Sequence, residues 1–124
     1  MRQDKTLILV VDDDEAVRES LKFSLELEGV EVGLCQAGQE LFSHPRLAAA
    51  KCLVLDFKMP DIDGIGVLQT LRERGITLPA ILITGHATAA LRQRAAEAGA
   101  IDVLQKPLLG TVLFDSIRQA TRAS

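Results

Sequence analysis

Five short apolar runs alternate along the chain with segments of helical pattern. The runs have the length of β-strands, and most are apolar throughout rather than at every second residue. They are Leu7–Val11, Val30–Cys35, Cys52–Leu55, Ala80–Thr84 and Ile101–Leu104. Strands of this composition are buried on both faces, as in a parallel sheet that is covered by helices.

The segments between the runs carry apolar residues at helical spacing. The predicted helices are Glu15–Glu28, Gln39–Phe42, Ile65–Arg74, Ala87–Ala98 and Thr111–Thr121. Gly29, Gly75 and Gly99 follow three of them, as glycines that end helices do. Because crossovers between parallel strands are right-handed, few topologies remain. We predict an α/β protein with a doubly wound, five-stranded parallel sheet in the order 2-1-3-4-5, a flavodoxin-like arrangement with five helices.

Length and charge restrict the function classes. A chain of 124 residues predicts one domain over residues 1–124, with residues 122–124 free to fray. The 14 basic against 17 acidic residues give a net charge of −3, which argues against direct nucleic-acid binding. No apolar stretch approaches the roughly 18–20 residues of a membrane span. The two cysteines form neither a metal motif nor a disulfide framework. We therefore expect a cytoplasmic protein with reduced thiols and no membrane contact.

Two of the apolar runs end in acidic residues. Asp56 follows the third run, and Asp12-Asp13-Asp14 follows the first. In the predicted order the chain reverses direction between strands 1 and 3, and ligands bind beyond the carboxyl ends of strands at such a point. Buried carboxylates need a compensating charge, and carboxylate oxygens suit Mg²⁺. The sequence predicts an acidic pocket that holds this ion.

The fourth and fifth runs bring a hydroxyl and an ammonium group to the same edge. Thr84 ends the fourth run, and Lys106 follows the fifth. Phosphoryl transfer depends mainly on positioning and charge stabilisation. Acids, a hydroxyl and a lysine at one sheet edge therefore indicate that chemistry.

Four ordered motifs carry a family resemblance. They are Val11-Asp12-Asp13-Asp14, Asp56-Phe57-Lys58-Met59-Pro60-Asp61-Ile62-Asp63-Gly64, Thr84-Gly85-His86 and Lys106-Pro107. With these motifs the chain resembles the receiver domain of bacterial two-component response regulators, from about Lys5 to Ala120. The wording Ile83-Thr84-Gly85-His86 is most similar to the nitrogen-fixation regulators, whose receivers precede a helix-turn-helix domain.

The resemblance implies a role for each acid. Asp56 would be the phosphoacceptor, a carboxylate nucleophile that forms a mixed anhydride. Asp13 and Asp56 would ligate Mg²⁺ directly, Asp12 would act mainly through water, and the backbone carbonyl of Lys58 would complete the ligands. Asp14 is interpreted as the N-cap of the first helix.

It also implies roles at the other strand ends. Thr84 would hydrogen-bond the phosphoryl group and Lys106 would pair with it, with the Lys106–Pro107 peptide bond in the cis form. Lys58 and His86 would border the phosphoryl group and modulate its lifetime. Such a domain catalyses only the phosphorylation and dephosphorylation of its own aspartate, so it is not an enzyme in the ordinary sense.

The motifs depart from the family pattern at two positions. Receivers carry an aromatic residue three positions before the lysine, and Phe after Lys-Pro; here these positions are Val103 and Leu108. We therefore predict that Thr84 moves towards phosphorylated Asp56 and shifts residues 85–88, which biases helix 4 and strand 5 without an aromatic rotamer change.

The expected partners are a sensor histidine kinase or a phosphotransfer protein. The face formed by helix 4, strand 5 and helix 5 is a common interface in the family and a candidate surface for a homodimer. Leu91, Val103 and Phe114 are its candidate contacts, although Phe114 suits the core as well. Asp61, Asp63 and Gly64 are expected to organise the loop after Pro60, with Gly64 supplying permissive dihedrals.

Other functions are open at this stage. The chain could be a stand-alone phosphorelay module or the front half of a transcription factor. A Mg²⁺-dependent phosphatase with an aspartyl nucleophile usually needs a second Asp two residues on, where Lys58 stands. A pseudo-receiver that acts by docking alone would keep the fold without phosphorylation, and Val103 leaves room for that alternative.

Overall fold

The five strands form one parallel sheet. The computed structural model describes residues 5–122, so the ends of the predicted 1–124 domain lie outside the described residues, as do Ala123 and Ser124 of the segment expected to fray. The strands are β1 (Leu7–Val11), β2 (Glu31–Cys35), β3 (Cys52–Asp56), β4 (Ala80–Thr84) and β5 (Asp102–Gln105). Their order in the sheet is β2-β1-β3-β4-β5. The predicted fold class, strand order and parallel pairing are confirmed.

The described residues form five helices, as predicted; four connect successive strands and the fifth follows β5. They are α1 (Glu15–Leu27), α2 (Gly38–Phe42), α3 (Gly64–Glu73), α4 (Ala89–Glu97) and α5 (Val112–Arg122), with an unpredicted 3-10 turn at Leu47–Ala49. Helix α4 begins two residues later than predicted because the Thr88 hydroxyl accepts a hydrogen bond from Leu91 N at 3.0 Å and caps it. Helix α5 ends at Arg122, one residue beyond its predicted end at Thr121. None of the helices within residues 5–122 is long and apolar enough to cross a membrane.

The sheet separates two apolar layers. Successive side chains of a strand point to opposite faces, so Leu9 and Leu53 pack towards α2, α3 and α4, whereas Val10 and Val54 pack towards α1 and α5. Both layers are aliphatic, and all five residues of β1, β3 and β4 are buried. Strands β1, β3 and β4 are therefore packed on both faces. This packing fixes the backbone position of the residues at their carboxyl ends.

Two of the three surface contacts predicted on the α4–β5–α5 face are wrong. Leu91 and Val103 are only 6% and 7% exposed and belong to the core layer beside α3. Phe114 is partly buried against the other layer, with the Arg118 guanidinium 6.0 Å from its ring centre. Apolar burial wins at these positions because α4 and α5 turn their apolar stripes towards the sheet.

The cysteines lie as the sequence indicates. Cys35 ends β2 and Cys52 begins β3, on either side of β1, and both are free and buried. Burial raises the pKa of each thiol to about 12, so both stay protonated and inert at neutral pH.

Candidate functional site: an acidic cleft at the carboxyl edge of the sheet

The sheet register brings the predicted acids together. Val11 of β1 pairs with Leu55 of β3, so the next residues, Asp12 and Asp56, stand side by side where the chain reverses direction. Asp12, Asp13 and Asp56 each offer a carboxylate oxygen, and these oxygens all lie within 4.8 Å of one another. Asp12 and Asp56 are only 2% and 6% exposed, whereas Asp13 is exposed.

Backbone contacts hold the loop that carries Asp12. The Asp12 carboxylate accepts a hydrogen bond from Asp14 N at 2.9 Å, and its own N–H donates to the carbonyl of Cys35 at 3.1 Å. Asp14 accepts from Val17 N at 3.1 Å, which confirms it as the N-cap of α1. The loop is thus fixed from both sides before any ligand is considered.

Lys106 supplies the positive charge of the site. Its Nζ lies 3.3 Å from Asp56 Oδ1 and 3.5 Å from Asp12 Oδ2, and its side chain is one third exposed. The backbone N–H of Lys106 donates to the Thr84 carbonyl at 2.8 Å, and the following bond to Pro107 is cis, as predicted. Lys106 therefore bridges the ends of β1 and β3 from β5.

Electrostatics set the protonation of the two partners. Burial, aided by the charge of Asp12, raises the pKa of Asp56 to about 6, although Lys106 acts in the opposite direction. Burial acts to lower the pKa of Lys106, but Asp56 and Asp12 outweigh it and hold that pKa above its usual value. Near neutral pH the ammonium group of Lys106 therefore faces a mostly ionised Asp56 carboxylate.

The donor set fits a divalent cation. Three carboxylates, once ionised, leave two negative charges after the single ammonium group is counted. Hard oxygen ligands that converge within a few ångströms are what Mg²⁺ binds. Asp12, Asp13 and Asp56 could therefore hold this ion.

The remaining predicted residues divide into two groups. Thr84 and Lys58 line the same cleft as the three acids and Lys106. The Thr84 side chain is buried, and its Oγ1 accepts a hydrogen bond from His86 N at 3.2 Å. His86 itself is exposed and does not line the cleft. The structure thus brings together all of the predicted site side chains except that of His86.

The loop after Pro60 is organised by its acids, as expected, but not by the dihedrals of Gly64. Asp63 caps α3 by accepting from Gly66 N at 2.8 Å. Gly64 has no positive φ; a Cβ there would instead meet the Asp56 carbonyl oxygen at 2.8 Å and a Leu82 methyl at 2.6 Å. The absence of a side chain lets the loop pass close to the phosphoacceptor candidate.

Three polar contacts around the site were missed from the sequence. The Arg18 guanidinium donates to the Asp12 carbonyl at 2.7 Å. Gln105 Oε1 accepts from Ala87 N at 2.9 Å, and Asp61 accepts from Gln39 N at 2.9 Å. Two of these contacts join residues about twenty positions apart, whereas Arg18 is six positions from Asp12. All three end on backbone groups, which no local sequence pattern marks.

Comparison with known proteins gives consistent matches. The chain matches the family model described as the response regulator receiver domain over residues 8–118. It is 36% identical over 112 residues to the transcriptional regulatory protein FixJ of Rhizobium meliloti, covering 90% of this chain and 55% of FixJ. It is 40% identical over 115 residues to the response regulator MprA of Mycolicibacterium vanbaalenii, covering 93% of this chain and 50% of MprA. The chain spans about half the length of these relatives.

Solved structures agree with the fold and with the sequence matches. FixJ-N superposes with a TM-score of 0.87 at 35% identity, covering 99% of this chain and 98% of that one. The response regulator StyR gives a TM-score of 0.88 at 36% identity, covering 96% of this chain and 60% of StyR. The similarity to FixJ confirms the expected resemblance to the nitrogen-fixation regulators. The chain belongs to the response regulator receiver domain family of two-component systems.

Proposed function

We propose that Asp56 is the phosphoacceptor of this receiver domain and that its phosphorylation is the input signal. The observation that carries the proposal is the position of Asp56, which lies buried at the end of β3 with Lys106 Nζ at 3.3 Å and two further carboxylates beside it. The donor would be a histidine kinase or a phosphotransfer protein. An oxygen of the Asp56 carboxylate attacks phosphorus, the phosphorus–nitrogen bond of phosphohistidine breaks, and an acyl phosphate forms.

The chain's own groups position and neutralise the transferred group. Asp12, Asp13 and Asp56, with the backbone carbonyl of Lys58, would hold Mg²⁺, which when bound neutralises carboxylate and phosphoryl oxygens. Lys106 is already within contact distance of the acceptor oxygen and would pair with a phosphoryl oxygen. With a pKa of about 6, Asp56 is mostly ionised near neutral pH, as a nucleophile must be.

The conformational signal is proposed to begin at Thr84. Its hydroxyl now accepts from His86 N. If the Thr84 hydroxyl turns to donate to a phosphoryl oxygen, its hydrogen bond from His86 N weakens. Residues 85–88 then shift, which biases α4 and β5. Backbone shifts of free and phosphorylated protein, compared by NMR, test this: no change along residues 84–104 would contradict it.

The exposed surface of α4, β5 and α5 is proposed as the homodimer interface of the phosphorylated form. Because Leu91 and Val103 are buried, the contacts would come from exposed residues such as Gln93 and Arg118. Transcriptional output is proposed from the similarity to FixJ, with the domain acting in the cytoplasm as one unit of residues 1–124 and without nucleic-acid contact of its own.

A docking module that works without phosphorylation is the alternative. It is favoured by Val103, a small apolar residue in the core where the family carries an aromatic ring. Measurement of intact mass after incubation with acetyl phosphate and Mg²⁺ separates the two. A gain of one phosphoryl group that is lost in Asp56→Asn and with EDTA supports the receiver. No gain from either acetyl phosphate or a phosphorylated histidine kinase supports docking alone.

A further inference from the structure

The loop between β4 and α4 is tied to β5 by one side chain. Gln105 is the last residue of β5, and its Oε1 accepts a hydrogen bond from Ala87 N at 2.9 Å. Ala87 lies in the middle of this loop, eighteen positions before Gln105 in the sequence. The contact therefore joins the backbone of the loop to the strand that presents Lys106.

The preceding N–H of the same loop, that of His86, donates a hydrogen bond to the Thr84 side chain. His86 N donates to Thr84 Oγ1 at 3.2 Å, so the N–H groups of two consecutive residues, His86 and Ala87, are accepted by Thr84 and by Gln105. Thr84 and Gln105 are also paired across the β4–β5 ladder. A movement of the Thr84 hydroxyl would therefore displace the acceptor of the His86 N–H. The next N–H of the same loop, that of Ala87, would still donate to Gln105.

Gln105 is also next in sequence to Lys106, a positively charged residue of the site. It precedes Lys106, whose ammonium group contacts Asp56 and whose backbone N–H donates to the Thr84 carbonyl at 2.8 Å. Val103, two positions earlier, has no polar side-chain atom and lies in the core, so it makes no such connection through its side chain. Its carbonyl accepts from Arg92 Nη1 at 3.0 Å, which anchors α4 to β5 beyond the loop.

We propose that Gln105 is a positioning residue. It fixes the position of the loop between β4 and α4 relative to Lys106, and it transmits a displacement of this loop to β5. The inference rests on the proposed phosphorylation of Asp56, because that event is what displaces the loop. Gln105 touches no reacting atom. It acts through the Ala87 N–H, and its side-chain oxygen is the atom that matters.

The hydrogen bond from Ala87 N to Gln105 Oε1 is tested first, in the unphosphorylated protein, by hydrogen exchange at the Ala87 amide. Gln105→Met keeps the length of the side chain but removes the acceptor, whereas Gln105→Glu keeps an acceptor oxygen and serves as the matched control. A single exposed hydrogen bond protects an amide modestly, so we expect Ala87 exchange to rise about fivefold in Gln105→Met. It should stay close to wild type in Gln105→Glu. Equal exchange in all three proteins would overturn the proposal.

The transmission is tested by NMR with beryllofluoride and Mg²⁺, which mimic the phosphoryl group. In wild type and Gln105→Glu, shift changes should extend from residues 84–88 into residues 102–104. In Gln105→Met, the changes in residues 102–104 should fall at least about threefold while those at Thr84 persist. Lys106 and Asp56 are unchanged in all three proteins, so the difference between the two variants isolates the side-chain acceptor at position 105.

The two proposals fail in different ways. Phosphoryl uptake from acetyl phosphate, followed by intact mass, is measured on the same three proteins. Uptake in all of them with undiminished changes at residues 102–104 of Gln105→Met overturns the role of Gln105 and leaves the receiver function standing. No uptake by wild type from any donor overturns the receiver function, and the role of Gln105 falls with it.

Discussion

At the scale of single residues, the site is governed by the cost of ionising Asp56. A buried carboxylate beside Asp12 holds its proton more tightly than the same group in the unfolded chain, and its pKa rises from 3.8 to about 6. A group with a raised pKa in the folded state stabilises the fold below the unfolded pKa, and this contribution is lost as pH rises through the folded pKa. For Asp56, stability is therefore lost between about pH 4 and pH 6.

Asp56→Asn should for this reason be more stable than wild type near neutral pH. Without divalent cations we expect a gain of about 2 kcal/mol in the free energy of unfolding at about pH 7, most of which disappears near pH 4. Urea denaturation across this range measures the difference. Asp14→Asn is the matched control, because Asn caps a helix as well as Asp does and the site is exposed. A gain for Asp56→Asn that is independent of pH would contradict the electrostatic cause.

Lys58 and His86 are expected to influence the lifetime of the acyl phosphate rather than the fold. Both side chains are exposed, so replacement by Ala should change the free energy of unfolding by no more than about 0.5 kcal/mol. Because Lys58 lines the cleft and His86 does not, Lys58→Ala should alter the dephosphorylation rate more. Loss of phosphoryl group followed by intact mass gives the rates, with Lys51→Ala as the control. Unchanged decay in both variants would refute a modulating role.

The central site residues could be predicted because each adjoins the end of an apolar run. Asp56, Thr84 and Lys106 needed only the strand order to be placed at one edge. Gln105 could not be found in this way, because its partner, the Ala87 N–H, lies eighteen positions away in the loop between β4 and α4. Arg18 is only six positions from Asp12, but it donates to a backbone carbonyl, and no sequence pattern marks that contact.

At the scale of elements, the connection from β3 to α3 is set by close packing. The Gly64 N–H donates to the Phe57 carbonyl at 2.7 Å, and a Cβ at position 64 would lie 2.8 Å from the Asp56 carbonyl oxygen. Backbone atoms cannot give way as the end of a side chain can. The loop that follows the acceptor candidate therefore depends on glycine for space.

Gly64→Ala should destabilise the fold by about 2–3 kcal/mol, the upper part of the range for an overpacked core position, because the Cβ would meet backbone atoms. It should also slow phosphorylation, because relief of the clash moves the backbone of Asp56. Gly85→Ala is the control, since a Cβ at Gly85 meets nothing within 4 Å and its φ is not positive. Thermal unfolding and intact mass give the two readouts. Equal stability of the two variants would show that the loop adjusts without cost.

Element boundaries were predictable only where the local sequence decides them. Gly29 adopts φ 93° at the end of α1, as the sequence indicates. The start of β5 was misplaced by one residue, because Ile101 is apolar but 52% exposed, while Asp102 belongs to the strand. Asp102 accepts a hydrogen bond from Ser116 Oγ of α5 at 2.8 Å, and this tertiary partner makes a polar residue acceptable there.

At the scale of the whole molecule, the net charge of −3 is unevenly distributed. Three carboxylates converge at one edge of the sheet and meet one ammonium group, and two of these carboxylates are buried. Folding brings these charges together, so their repulsion opposes the folded state as a whole. A cation that binds only the folded arrangement relieves the repulsion and stabilises every element that the sheet joins.

Mg²⁺ should therefore raise the free energy of unfolding of the entire domain. At a concentration of about one hundred times the dissociation constant, linkage predicts a gain of about 2.7 kcal/mol, visible as a higher midpoint in urea. Asp13→Asn should lose most of this gain at the same Mg²⁺ concentration, because it removes a ligand at an exposed position without disturbing the core. NaCl at matched ionic strength corrects for screening.

Near pH 5, where the Asp56 carboxyl is largely protonated, the gain in the free energy of unfolding from Mg²⁺ should shrink. A gain that is equal in wild type and Asp13→Asn would place the ion elsewhere, and the acidic cleft would then have to be neutralised by Lys106 alone.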